Sequence, residues 1–332
     1  MDFIENAIYK SGVFSLTVLG SGSGGNCALV ETANTRVLID AGFSARQICL
    51  RLESAGVQPD SLNAILLTHE HGDHTTGLEV FCRKHAVPIF CTRLTAEQLR
   101  REKIGENASW QLFEAGSTFR IQDVEVESFY VPHDAVDPVA FVLRGGNGSE
   151  VGFLTDLGHA TKAARERIRN VNALVVETNH DEKLLQLDVK RPWSVKQRIL
   201  SRHGHLSNRA AAQLVADIAG DALRTVILGH LSRECNNPDL ALEAMHQLGL
   251  DKLELICAAQ DTVSERLQIK ASYTKTVSEP VKLPQVDLSE GLSDVALAKV
   301  EALAKVEDQI NPVNYNNGHQ QYTESLFDFG WD

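Results

Sequence analysis

Nowhere in its 332 residues does the sequence hold an uninterrupted apolar run long enough to span a bilayer. Its N-terminus carries acidic residues and no apolar stretch of signal-peptide length, so the expectation is a cytoplasmic protein with no membrane partner. Paired cysteines are also missing. Cys27, Cys49, Cys82, Cys91, Cys235 and Cys257 are scattered, and none stands at C-x-x-C spacing, which favours reduced core thiols over disulfides or a cysteine metal site. Positive charge is in short supply as well: 32 Lys and Arg face 44 Asp and Glu, for a net charge of −12. That excludes a protein coated in positive charge, but a local groove or a bound metal could still attract a polyanion. About half of the negative excess falls after residue 274, so the tail is electrostatically separate from the body.

What is present is an alternation of short apolar runs and helical patterns. Strands are expected over 16–19, 28–30, 37–39, 65–67, 124–131, 140–143 and 151–154. Helical spacing covers 44–54, 76–85, 162–168, 192–200, 208–218 and 238–248, which makes the chain α/β. After Ile269 the composition turns polar and proline-punctuated. The expected division is a catalytic domain over 1–272, a linker over 273–292, and a helical or disordered extension over 293–332. In that extension Ser293 would cap a helix whose stripe is Leu297, Val300, Leu303 and Val306.

The stretch "VLGSGSGGNC" satisfies G-x-G-x-x-G with Gly20, Gly22 and Gly25, and Asp40 stands roughly where a ribose-binding acid would. A dinucleotide needs a helix after the last glycine, to place its pyrophosphate on the helix N-terminus. Here "NCALVETANTRVLID" reads as two strands around a turn. No dinucleotide is therefore expected, and the glycines instead suit a tight loop at the edge of a site.

The most informative segment is "LLTHEHGDH", residues 66–74. Alternate residues of an extended chain point the same way, so His69 and His71 can hold one cation while Asp73 and His74 face a second. Imidazole and carboxylate donors suit borderline metals such as zinc or manganese. The H-x-H-x-D-H pattern after a strand resembles the signature of the metallo-β-lactamase superfamily. "VPHDAVDP", "GFLTDLGHA" and "VILGHLSRECNNP" then offer His133, Asp156 and His230 in the order that the superfamily uses.

Together with "GSGSGGNC", "ETNHD" and "GHLSN", these motifs resemble the YycJ/WalJ/VicX family over about residues 14–270. The resemblance implies a four-layer αβ/βα sandwich of two similar halves with the metals at one edge. It implies two divalent ions per chain, zinc or manganese, with iron a further candidate. His69, His71 and His133 would hold the first, Asp73, His74 and His230 the second, and Asp156 would bridge, with Asp73 also serving catalysis.

For the substrate, residues 190–209 gather Lys196, Arg198 and Arg202 with other cations around Trp193, as a strand with phosphates to pair and bases to stack would require. The alternative for this stretch is a solvated helix face with Trp193 packed inward. His205-x-Ser207 resembles the phosphate-gripping motifs of RNase Z and RNase J relatives, and a helix starting at Ser207 would aim N–H groups at an anion. Candidate substrate-binding residues are thus Asn26, Lys196, Arg198, Arg202, Ser207 and Asn208, and His205 and His180 are further catalytic candidates.

The resemblance implies a 5′ to 3′ exonuclease acting on DNA, with a role in repair. The competing reading is an ester, thioester or lactone hydrolase of the glyoxalase II or lactonase kind. In the tail, Leu326, Phe327, Phe329 and Trp331 among acids loosely resemble peptides that bind a sliding clamp or another repair protein.

Overall fold

The computed structural model describes residues 13–106 and 108–271. The expected linker and extension, with Leu326, Phe327, Phe329 and Trp331, lie outside the described residues. The described chain opens with β1 (Phe14–Gly20), β2 (Cys27–Thr32) and β3 (Arg36–Ile39), an antiparallel meander. The chain after Gly25 is therefore strand, as the hairpin reading requires, and no helix offers a cradle for a pyrophosphate there.

Next come α1 (Ala45–Ser54), β4 (Ala64–Leu66), a one-turn α2 (Gly72–Thr75), α3 (Leu78–Lys84), β5 (Ile89–Thr92), α4 (Arg93–Arg101) and β6 (Trp110–Phe113). The second half holds β7 (Thr118–Ile121), β8 (Val124–Tyr130), β9 (Val139–Arg144), β10 (Glu150–Leu154), α5 (Lys162–Ile168) and β11 (Ala173–Glu177). It continues through α6 (Glu182–Leu187), α7 (Trp193–Ile199), α8 (Asn208–Ile218), β12 (Thr225–Gly229), α9 (Pro238–His246), β13 (Glu254–Cys257) and β14 (Leu267–Gln268).

Local chemistry explains most boundaries. Ser44, Thr92, Thr161, Asp181, Ser207 and Asn237 cap α1, α4, α5, α6, α8 and α9 by accepting a backbone N–H inside the first turn, and Pro238 starts α9 where no donor is needed. Helix α1 buries Ala45, Ile48 and Leu52, one stripe at helical spacing. The expected ranges leave out α4, α6, β5, β6, β7 and the strands β11 to β14. Two successive residues of β6 are exposed, and β7 buries only Ile121, so neither strand carries a strong alternation.

The strands form two sheets of seven, ordered β14-β1-β2-β3-β4-β5-β6 and β13-β12-β11-β10-β9-β8-β7. In each, antiparallel pairing at one side gives way to parallel pairing at the other: β3 meets β4 in parallel in the first, and β10 meets β11 in the second. The two halves thus repeat one plan.

Three apolar cores define the layers. One lies between the sheets and joins Phe14, Leu16 and Val37 to Val126, Phe141 and Val175. A second packs α1, α3 and α4 on the first sheet, and a third packs α5, α8 and α9 on the other. The result is the helix–sheet–sheet–helix sandwich. The six cysteines are all free. Among the described residues, no helix is long and apolar enough to cross a membrane.

Candidate metal centre

One edge of the sandwich collects the C-terminal ends of strands from both sheets. Asp40 follows β3, and β4 leads into His69, His71, Asp73 and His74. His133 follows β8, Asp156 follows β10, Glu177 ends β11, and His230 follows β12. His71 is the N-cap of α2, so Asp73 and His74 lie inside that turn rather than on an extended strand. Asp40, Asp156 and His230 adopt φ of 58°, 57° and 55°. Left-handed backbone is costly for residues other than glycine, and here it falls on three members of one site.

Gly42 permits a close approach that nothing larger would allow. A Cβ there would meet the Asp73 carbonyl oxygen at 1.8 Å. The same carbonyl accepts Asn26 N–H at 2.8 Å, and Gly42 N–H donates to the Asn26 carbonyl at 3.0 Å. The glycine-rich loop is thereby stitched to the segment that carries His71, Asp73 and His74.

The predicted ligands come together. Donor atoms of His69, His71 and His133 lie within 4.8 Å of one another, as do those of Asp73, His74 and His230. A third group joins His69, His74 and Asp156, so the Asp156 carboxylate stands between the two sets. His133 Nε2 is 3.3 Å from His71 Nδ1, and His230 Nε2 is 3.2 Å from Asp73 Oδ2. His69 Nε2 is buried with no hydrogen-bond partner. An orphaned ring nitrogen among converging imidazoles and carboxylates fits a divalent cation, which would satisfy it.

Two carboxylates hold the rings. Asp40 accepts from His74 Nδ1 at 2.7 Å and from Thr68 N–H at 2.9 Å. One oxygen of Glu177 accepts from both His230 Nδ1 and His205 Nδ1, each at 2.7 Å. His133 Nδ1 rests 3.2 Å from the Gly204 carbonyl. Such partners fix the tautomer and leave the opposite nitrogen for a metal.

Sequence reading missed Glu177 altogether, and it gave Asp40 only the role of a ribose acid. The available signal was an acid closing an apolar strand, in "ALVVE" and "VLID". Burial holds the His69 and His133 imidazoles below their ordinary value. Burial is the largest single influence and would also lower His74 and His230, but Asp156 together with Asp40 and Asp73 at His74, and with Asp73 and Glu177 at His230, outweighs it, and both stand well above that value. Burial opposes ionisation of Glu177, yet His205 and His230 bring it down to about 2.

A cavity of about 340 Å³ opens onto this cluster, lined among others by His71, Asp73, Asp156, Arg198, His205 and His230. Of the expected substrate residues, Arg198 alone lines it. Lys196 is a correction: it is buried, and Nζ donates to the Gln186 carbonyl at 2.9 Å, fastening α7 to the end of α6. Ser207 and Asn208 are corrected too. Ser207 Oγ caps α8 and donates to Glu182, and Asn208 is buried in a reciprocal pair with Asn236.

Asn26 is buried, holds Gly22 and reaches within 3.2 Å of His74 Nε2, so it touches the His74 ring rather than the cavity. Arg202 is exposed and donates to His159. His180 is buried, lies outside the cavity lining, and has no partner at either ring nitrogen. The basic stretch is largely paired: Lys190 with Glu234, Arg191 with Asp188, Arg198 with Asp134, and Arg209 with Glu182. Trp193 is not packed inward.

A two-sheet sandwich with His and Asp donors gathered at one edge is the architecture of the metallo-β-lactamase superfamily. The sequence profile of the beta-lactamase superfamily domain matches residues 35–231. The chain is 37% identical over 231 residues to exodeoxyribonuclease WalJ of Streptococcus pneumoniae serotype 2, covering 69% of this chain and 85% of that protein. It is 36% identical over 234 residues to exodeoxyribonuclease YycJ of Bacillus anthracis, covering 70% of this chain and 88% of that one. In fold it is similar to the metallo-β-lactamase fold protein YhfI of Bacillus subtilis, with a TM-score of 0.59 at 16% identity, over 76% of this chain and 99% of YhfI. The protein belongs to the metallo-β-lactamase superfamily and, within it, to the family of WalJ and YycJ.

Proposed function

We propose that the protein is a metal-dependent exodeoxyribonuclease that removes nucleotides in the 5′ to 3′ direction and holds two divalent cations, zinc or manganese. The observation that carries this reading is the meeting of two three-residue donor sets around Asp156. Similarity to two exodeoxyribonucleases supports the choice of substrate. His69, His71 and His133 hold one cation, Asp73, His74 and His230 the other, and Asp156 lies between them. Divalent cations bound there supply Lewis acidity and lower the pKa of a water towards neutrality.

The chain's own groups complete the chemistry. Asp73, at the cavity wall, orients the attacking water. His205 lines the cavity with Nδ1 bonded to Glu177, which leaves Nε2 for a leaving oxygen. Burial disfavours its protonation, but Glu177 more than compensates, so the ring keeps a proton to deliver. Arg198, whose exposed partner Asp134 costs little to exchange, pairs a substrate phosphate.

The test is hydrolysis of end-labelled single- and double-stranded DNA by protein loaded with manganese or zinc, beside His71→Ala and Asp156→Ala. Stepwise, metal-dependent release from 5′ ends, lost in both variants, is expected. Intact DNA alongside turnover of small esters or lactones would replace this reading with the small-molecule hydrolase. For the tail, we propose partner binding through Leu326, Phe327, Phe329 and Trp331. Deleting residues after Asn311 should spare hydrolysis and weaken sliding-clamp pull-down; an undiminished pull-down would end that idea.

A further inference from the structure

Trp193 begins α7, the helix whose last turn carries Arg198 into the cavity wall. It is 63% exposed, and the connection before it exposes Leu187 at 66% and Val189 at 95%. Single apolar side chains on a surface need no explanation, but three within seven residues, leading into the helix that carries Arg198, form a patch.

The segment is held rigidly from below. Lys196 is anchored to the Gln186 carbonyl, Arg191 bonds Asp188 at 2.5 Å, and Asp188 also accepts the Lys190 N–H at 2.8 Å. Pro192 is the N-cap residue. The indole is therefore presented on a braced backbone, with little left to order on binding. Trp193 stands five positions before Arg198 on the same helix, about 7.5 Å along the axis and about 140° around it, so a strand whose phosphate meets Arg198 reaches the ring by crossing the first turn of α7.

Charge decides between occupants. The patch is flanked by Lys190 and Arg198, whose ion pairs are exposed on at least one side and exchange at small cost, while Arg191 stays with Asp188 as part of the brace. Val195 and Leu200 extend the apolar surface along the helix, and cations flanking an aromatic face match the phosphates and bases of a single strand.

We propose that Trp193 is a base-stacking platform for single-stranded DNA, gripping a nucleotide of the polymer outside the cavity while the neighbouring phosphate lies against Arg198. The inference rests on the exonuclease reading. It accounts for a tryptophan left in solvent beside the site, and it makes the enzyme select a strand bearing bases over a bare phosphodiester chain.

The experiment is steady-state cleavage of 5′-labelled single-stranded DNA by the manganese-loaded full chain, in wild type, Trp193→Ala and Trp193→Phe. Strands carrying one abasic residue stepped along the 5′ end are compared with intact ones. Trp193→Ala should raise KM by about 5- to 100-fold with kcat nearly kept, and Trp193→Phe should recover most of the loss. At one or two abasic positions, wild type should weaken to the level of Trp193→Ala, and the variant should not weaken further.

An unchanged KM in Trp193→Ala, with wild type cleaving normally, overturns the platform and leaves the patch to a protein partner. A loss equally large at every abasic position overturns it as well. Failure of wild type to cleave any DNA removes the exonuclease reading itself, and the inference falls with it.

Discussion

The two donor sets differ in what stands behind them. His69 and His133 are backed by neutral groups, a threonine hydroxyl at His69 and a carbonyl at His133, and burial keeps both below the ordinary histidine value. His74 and His230 are each backed by a buried carboxylate, Asp40 and Glu177, and stand well above it. One set is built of imidazoles without a carboxylate behind them, and the other has a buried carboxylate behind each imidazole. The lesson is that the carboxylates, more than the imidazoles, distinguish the two sets, and Asp156 groups with a histidine from each.

If Asp156 couples the sets, Asp156→Ala should have the largest effect, cutting DNA hydrolysis by at least about a thousandfold and reducing bound metal in both positions. His71→Ala should empty the first position alone. Metal content measured by mass spectrometry decides, and equal losses in the two variants would erase the distinction between the sets.

The backing carboxylates give the next effect. Asp40→Asn and Glu177→Gln should weaken metal binding about 10- to 100-fold while the first set keeps its affinity. Competition titration with a chelator reads this directly, and a uniform loss across both positions would contradict the comparison. Gly42→Ala should then displace the Asp73 carbonyl and cost about 1 to 3 kcal/mol of stability in thermal unfolding. Unchanged melting would mean that the loop yields more easily than its packing implies.

His180 isolates burial from metal binding. It is desolvated like His69 but faces no donor set, and burial pushes it down to about 4. An unfolded histidine takes up its proton near pH 6.5, which the folded ring refuses until about 4. The unfolded state therefore binds more protons in that window. Stability should fall as pH drops from about 6.5 to 4, by up to about 1.4 kcal/mol per unit, with no further contribution below it. His180→Gln should flatten that slope in denaturant titrations, and an identical slope would mean that the ring is solvated in solution.

The candidate metal ligands were legible because four of them crowd six positions after an apolar strand, and the others close apolar runs in a recognisable order. Glu177 was not, since a single acid at a strand end acquires meaning only when His205 and His230 arrive from distant segments. Lys196 was misread for a related reason. Spacing marks it as one more cation on a basic helix, whereas the Gln186 carbonyl below α7 turns it inward. The partners that neutralise the neighbouring cations, Asp134 and Glu234, lie 64 and 44 residues away from theirs.

The sequence by itself determined the donor types, their order along the chain and the alternation that folds into two sheets, because these depend on side-chain chemistry and local periodicity. The tertiary structure alone decided which carboxylate backs which ring, which arginine reaches the cavity and that Trp193 stands in solvent. Direction and pairing are set where separate strands and helices pack together, and no local pattern records them.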